Sequence, residues 1–498
     1  MPGPVGRSLA RSSLWNLAGF GLPLLAALVA VPLIIHRLGA ERFGILAIAW
    51  AIIGTASLLD LGIGRSLTRL VAKHGSTAAR AELPSMVFTS VALLAALAIL
   101  AALVLLALSC WLVIDVFHVD ATHAREAERA IALLAAGLPF VLCSGALQGV
   151  LDGYLRFDLS NLVRIPVSAL NYLAPLCVLP FTDDLGWLVG ATVLVRVGAC
   201  AAHALLAKRL LRDAGAPARV RAGLLAPVLT VGGWMTVSTI IATLIVYLDR
   251  FVIGAFSSLQ EVAFYATPFE IVTRLSLLPG AVSVALLPMF SAIAAESRDE
   301  LERFFASGLR YVVLLLFPAT LLIALFAREG LALWVGEEFA SHSAGIARML
   351  AAGVFVNGLA FIPFTLLYAV GRADTVAKLH LVELPIYALL LWQLVLRFGA
   401  DGAAAAWTVR VVIDAALLFL LARHLHPALD LRLFRVAVAA FVGLGALAIA
   451  AALPTTATRV AYAVAMLAAF TTFAWWRLLA PAERLALGRI IGRAQERR

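Results

Sequence analysis

The chain has 498 residues, 63% of them hydrophobic and only 14% charged, with a formal net charge of +10. So apolar a composition excludes a water-soluble domain of this length and places the chain in the membrane class. The positive charge is dealt out to alternate loops rather than gathered on one face, which argues against a nucleic-acid partner.

A membrane-crossing helix needs about 20 apolar residues. By that ruler about fourteen runs recur along the chain, at roughly 14–35, 43–63, 85–114, 130–151, 161–181, 185–206, 224–247, 264–292, 309–327, 346–370, 379–398, 402–422, 434–453 and 458–479. Short alternating strands of the kind a membrane β-barrel requires are absent from this pattern. The expected fold class is therefore an all-α polytopic membrane protein. Arg7 and Arg11 precede the first run as they would in a signal peptide, but Leu14–Ile35 is too long for one and further spans follow, so it reads as a retained first helix.

Loop charge then sets orientation. Arg7 and Arg11, then Arg65, Arg69, Lys73 and Arg80, then Lys208, Arg209, Arg212, Arg219 and Arg221, and finally Arg477, Arg484, Arg489, Arg493, Arg497 and Arg498 fall in the N-terminus, the second loop, the sixth loop and the C-terminal tail. Acids dominate the odd loops: Asp115, Asp120, Glu126 and Glu128; Asp183 and Asp184; Glu329, Glu337 and Glu338. The pattern predicts cytoplasmic termini. Trp15, Trp50, Trp187, Trp475 and Trp476 near span ends fit an interfacial belt.

The longest polar interruption, about 207–223, is basic and carries Gly215 and Pro217. It divides an N-lobe, residues 1–215, from a C-lobe, 216–430, with six spans each; residues 431–498 add two more spans and a basic tail. The lobes echo each other. Arg156-Phe-Asp158 answers Arg372-Ala-Asp374, and Arg196-Val answers Arg410-Val, at offsets of about 215 residues, the mark of a parallel repeat with a site between its halves. Prolines punctuate many spans, and Pro279 with Gly280 is the pair expected to bend one.

Charge inside the spans is the chemical signal. An ionisable group at bilayer mid-depth costs roughly 2.5–3.5 kcal/mol on insertion scales, so it faces protein or water. Asp60 closes the second span. Asp249 and Arg250 adjoin the seventh. Glu270 and Arg274, at i and i+4, share a helix face in the eighth, and Arg410 and Asp414 repeat that spacing in reverse order in the twelfth; Glu383 sits in the eleventh and Arg196 in the sixth. Helix-locking salt bridges would explain each pair singly. The set together points to a wetted cavity between two lobes, where arginine forks suit an anionic ligand and the acids suit a proton or sodium ion. No nucleophile triad, metal-ligand spacing or phosphate loop accompanies them, so neither catalysis nor a cofactor is expected. Cys110, Cys143, Cys177 and Cys200 lie in apolar runs as reduced thiols, and His424 and His426 read as solvated.

Particular stretches resemble a known family. Asn16 in the first helix, Arg37-Leu-Gly39, Phe43-Gly44 and Asp60-x-Gly62 resemble the opening of the polysaccharide (O-antigen) flippases of the multidrug/oligosaccharidyl-lipid/polysaccharide exporter superfamily. Gly232-Gly233-Trp234, Tyr247-Leu-Asp249-Arg250, the Pro268/Glu270/Arg274 segment, Gly371-Arg372-Ala-Asp374 and Ala406-Trp407-Thr-Val-Arg410 extend the likeness over about the first 430 residues. The resemblance implies two six-helix lobes around a central cavity. It implies transport of an undecaprenyl-diphosphate-linked oligosaccharide across the bacterial inner membrane by alternating access, beside polysaccharide polymerase machinery. Arg37, Arg250, Arg274 and Arg410 become the cavity cations, and Asp60, Asp249, Glu270, Glu383 and Asp414 their charge partners or ion-coupling groups. A lipid II flippase and a multidrug cation exporter share the expected fold; the arginines disfavour the exporter. A membrane glycosyltransferase or polymerase would need a large outer loop, and the odd loops here are short.

Overall fold

The computed structural model describes residues 4–56, 60, 62–74, 81–212, 219–221, 223, 225–293, 297–426, 430–479 and 483–484, with side chains throughout except at 4–20, 74, 225–239, 242 and 430–440. Arg80, Gly215, Pro217, Arg489, Arg493, Arg497 and Arg498 lie outside the described residues, as do the side chains of Arg7, Arg11, Trp15, Asn16 and Trp234.

Every expected span overlaps a helix, and no strand occurs among the described residues. The helices are α1 (Pro4–Thr55), α2 (Ile63–His74), α3 (Leu83–Trp111), α4 (Ala121–Gly153), α5 (Phe157–Val178), α6 (Leu185–Leu211), α7 (Leu225–Phe256), α8 (Leu259–Val272), α9 (Leu277–Ile293), α10 (Arg298–Val335), α11 (Glu337–Ala369), α12 (Ala373–Leu425), α13 (Asp430–Ala452) and α14 (Thr456–Phe473). Among the described residues, ten helices are long and apolar enough to cross a membrane. The protein is a multi-pass membrane protein. Two of those ten, α1 and α12, each hold two of the expected spans. They break at Gly39 (φ 78°, ψ 170°) and Gly399 (φ 54°, ψ −133°), backbone geometries that a Cβ would oppose.

Loop ion pairs bring odd loops together. Arg37 Nε bonds Asp183 at 2.9 Å, and Arg42 reaches both Glu126 and the Asp183 carbonyl. Glu126 also accepts the Leu185 N–H, while Asp184 caps α6 by accepting from Gly186 N–H at 2.7 Å. The first, third and fifth loops thus share one end. At the other end of α3, Ser85 and Thr89 accept the N–H groups of Arg219 and Arg221, joining the sixth loop to the start of that helix.

The chain forms two compact units: residues 1–267 with 380–403, and residues 268–379 with 404–498. The 207–223 linker marks where the chain leaves the apolar phase, but packing decides membership, and α7 packs on α1 and α2. Gly54 lets the Tyr247 ring lie against α1, and Gly44 admits the Leu259 carbonyl at the start of α8; a Cβ at either glycine would collide. In the first unit, Ile63, Leu67, Leu70 and Val71 of α2 join Leu83, Met86, Leu94, Leu142 and Val150 in one core cluster. In the second, α10 and α11 pack together, and Gly353 receives the Trp407 ring, which also meets Phe269 edge-on at 5.8 Å.

The eighth span bends just before Pro279. A 3-10 turn, Thr273–Ser276, separates α8 from α9. Proline has no N–H to give the carbonyl four residues back, Leu275, so the helix tightens there.

Candidate functional site

In the first unit the polar centre is the hairpin of α7 and α8. Asp249 lies seven residues before the end of α7 and Tyr265 six after the start of α8, so the tight turn at Ser257–Ser258 sets them opposite each other. The Tyr265 hydroxyl donates to Asp249 Oδ2 at 2.5 Å, and the Arg250 N–H donates to Oδ1 at 2.8 Å. Asp249 is 0% exposed and Arg250 3%. Both are enclosed, and the hairpin supplies fixed donors to the carboxylate. Tyr387 of α12 is also fully buried. The Arg250 guanidinium lies over the Tyr247 ring, 5.3 Å from its centroid.

A second group surrounds Arg196 of α6. Its Nη2 donates to Asn171 Oδ1 of α5 at 2.9 Å, and Tyr247 of α7 lies against Gly54 of α1, one turn on from Trp50. Trp50 of α1 stacks edge-on against Tyr172 at 5.1 Å and against Phe43 at 5.9 Å. The sequence exposes Arg196 as an in-span charge but not its aromatic neighbours, which come from three other helices with no spacing to link them.

Three further expected site residues belong to the first unit. The Arg37 side chain is 62% exposed and pairs with Asp183 among the odd loops, two residues before the break at Gly39. Asp60 accepts the Gly64 N–H at 3.1 Å and so caps the start of α2, one of the donors a helix end leaves open. Glu383 is buried in the first segment of α12.

The second unit holds the Glu270/Arg274 pair, with Arg274 Nη2 to Glu270 Oε2 at 3.2 Å and both side chains about one-third exposed (33% and 35%). The pair straddles the start of the 3-10 turn, so the bend and the charges coincide. Arg410 is half-buried and Asp414 is 6% exposed, one turn apart on the second segment of α12. Such groups can hold an anion on guanidinium forks and carry a proton or cation on carboxylates shielded from bulk water.

The sequence profile of the polysaccharide biosynthesis protein family matches residues 9–294. The chain is 29% identical over 411 residues to a putative O-antigen transporter of Shigella flexneri, covering 82% of this chain and 97% of that one. An inward-facing multidrug-resistance transporter of the MATE family, in the MOP superfamily, superimposes with a TM-score of 0.70 at 16% identity, covering 83% of this chain and 98% of the other. The lipid II flippase MurJ, in an inward closed conformation, superimposes with a TM-score of 0.69 at 11% identity, covering 94% and 100%. Identities this low show the shared transporter fold alone. With more than half of its length matched by the profile, the chain belongs to the polysaccharide biosynthesis protein family.

Proposed function

We propose that the chain is a flippase for a lipid-diphosphate-linked oligosaccharide of the O-antigen kind, carrying it across the bacterial inner membrane by ion-coupled alternating access. The observation that carries this reading is the likeness to the putative O-antigen transporter over nearly all of that protein's length. The lipid II flippase and the multidrug exporter share the fold alone, so neither supplies a competing substrate.

In this reading Arg274 and Arg410 meet the anionic parts of the substrate, and Glu270, Glu383 and Asp414 serve as their partners or as carriers of the coupling proton or sodium ion. Asp249, held by Tyr265, is a further ion-coupling group, and Arg250 positions Tyr247 beside it. Both termini face the cytoplasm, where the Lys/Arg-rich loops gather, and polymerase machinery receives the glycan on the other side.

The test is complementation of a strain that lacks its O-antigen flippase. Expression of this chain is expected to restore surface polysaccharide, and Arg274→Ala or Arg410→Ala to abolish it at unchanged membrane abundance. Full polysaccharide with both variants would overturn these assignments, and no restoration by the unmodified chain in hosts of several O-types would overturn the function.

A further inference from the structure

We propose that Arg196, with Trp50, Asn171, Tyr172 and Tyr247, forms an anion-binding subsite within the first unit. It would take a negatively charged oxygen group of the transported molecule, either a diphosphate oxygen or a sugar carboxylate. The proposal rests on the flippase reading for the identity of that molecule, and on the geometry for everything else.

Arg196 stands eleven residues into α6, about 16 Å from the helix start at 1.5 Å per residue, which is near the middle of a bilayer. An arginine at that depth needs a counter-charge or water. Among the described residues its hydrogen-bond partner is neutral, the Asn171 amide oxygen; the next residue, Tyr172, meets the Trp50 ring, and Tyr247 lies against Gly54, one turn on from Trp50. Among the described residues its Nε–H is buried with no acceptor, and so is the Trp50 indole N–H. Two unused donors, one of them cationic, therefore occur in one aromatic cluster contributed by α1, α5, α6 and α7. Among the described residues no carboxylate locks it, and it lies within α6 rather than at a helix end where it could reach headgroups. A half-buried cation walled by rings binds an anion more strongly than one in water, because the surroundings screen it less. The guanidinium fork suits two oxygens of one phosphate or carboxylate, and the indole N–H supplies a further donor.

The experiment measures ligand binding to the full-length purified protein in detergent. One pair of probes is undecaprenyl diphosphate and neutral undecaprenol; the other is a glucuronate-containing oligosaccharide and its carboxyl-reduced, neutral form. Arg196→Gln is expected to weaken binding of one of the two anions at least tenfold and to leave both neutral probes unchanged; the pair that responds identifies the charged group. Arg196→Lys, which keeps the charge but not the fork, is expected to weaken the same anion about threefold or more, and it decides the matter if the glutamine variant does not fold. Trp50→Phe is expected to remove the fluorescence change that this anion causes in the unmodified protein. Wild-type affinity of the folded Arg196 variants for both anions, or equal losses for anionic and neutral probes, would overturn the subsite. If that happened while the chain still restored surface polysaccharide, the flippase reading would stand without it; Arg196-dependent binding without restored polysaccharide would leave the subsite and remove the substrate assignment.

Discussion

Asp249 shows how fixed donors hold a buried carboxylate in an apolar protein. Its two oxygens are taken by a phenol from the next helix and by the backbone of the next residue. Tyr265→Phe removes one of these donors, which is expected to cost about 1 kcal/mol. Thermal unfolding in detergent checks this as a lowered midpoint; an unchanged midpoint would mean that Asp249 does not depend on the phenol. At this scale the sequence was half legible. Charge in an apolar run is visible without any structure, and it identified Asp249, Arg250, Glu270, Arg274, Glu383, Arg410 and Asp414 as positions needing an explanation. What each one touches is set by which helix packs against it, so neither Tyr265 on Asp249 nor the ring of aromatics around Arg196 could be read from spacing. The Arg37 contact is of the same kind: its partner Asp183 is 146 residues away, and no spacing links the two.

Among the elements, the internal repeat has a backbone counterpart. After α4, Leu155 adopts φ 58°, Leu155 N–H bonds the Asp152 carbonyl and Arg156 N–H the Leu151 carbonyl. After α11, Gly371 adopts φ 77°, Gly371 N–H bonds the Tyr368 carbonyl and Arg372 N–H the Leu367 carbonyl. The same turn occurs twice at the offset suggested by the Arg-x-Asp echo. Asp158 pairs with Arg156 in the first copy, whereas Asp374 pairs with Lys378 in the second. The first copy carries a leucine in the left-handed region, a conformation that costs a side-chain-bearing residue about 1–2 kcal/mol. Leu155→Gly is therefore expected to stabilise the protein, by up to about 1 kcal/mol once the freer unfolded glycine is allowed for. Gly371→Leu, with open space around the new Cβ, is expected to destabilise by about 1–2 kcal/mol through the backbone alone. Unfolding midpoints of the two variants check this, and opposite signs are the signature. By contrast, α2 was readable and went unread: Ile63, Leu67, Leu70 and Val71 recur at helical spacing opposite Arg65, Arg69 and Lys73, yet high charge made the segment look like a loop.

For the whole molecule, composition and span pattern gave the class, and motif likeness gave the family that the profile match shows. The grouping of helices follows from contacts rather than from composition. A linker is a local property of composition, but membership of a unit depends on contacts between residues far apart in sequence, such as Tyr247 on Gly54 and Glu261 on the Ala400 N–H. Those contacts place α7 and the first segment of α12 with the N-terminal helices. Function at this scale comes down to whether a charged glycolipid crosses a bilayer because this chain is in it. The most direct measurement reconstitutes the purified protein into liposomes loaded on one leaflet with a fluorescent lipid-diphosphate-linked oligosaccharide, and follows its appearance on the other under an imposed proton or sodium gradient. Gradient-dependent transfer that falls to the protein-free rate with Arg274→Ala is the predicted result; transfer no faster than in empty liposomes under either gradient would contradict the account.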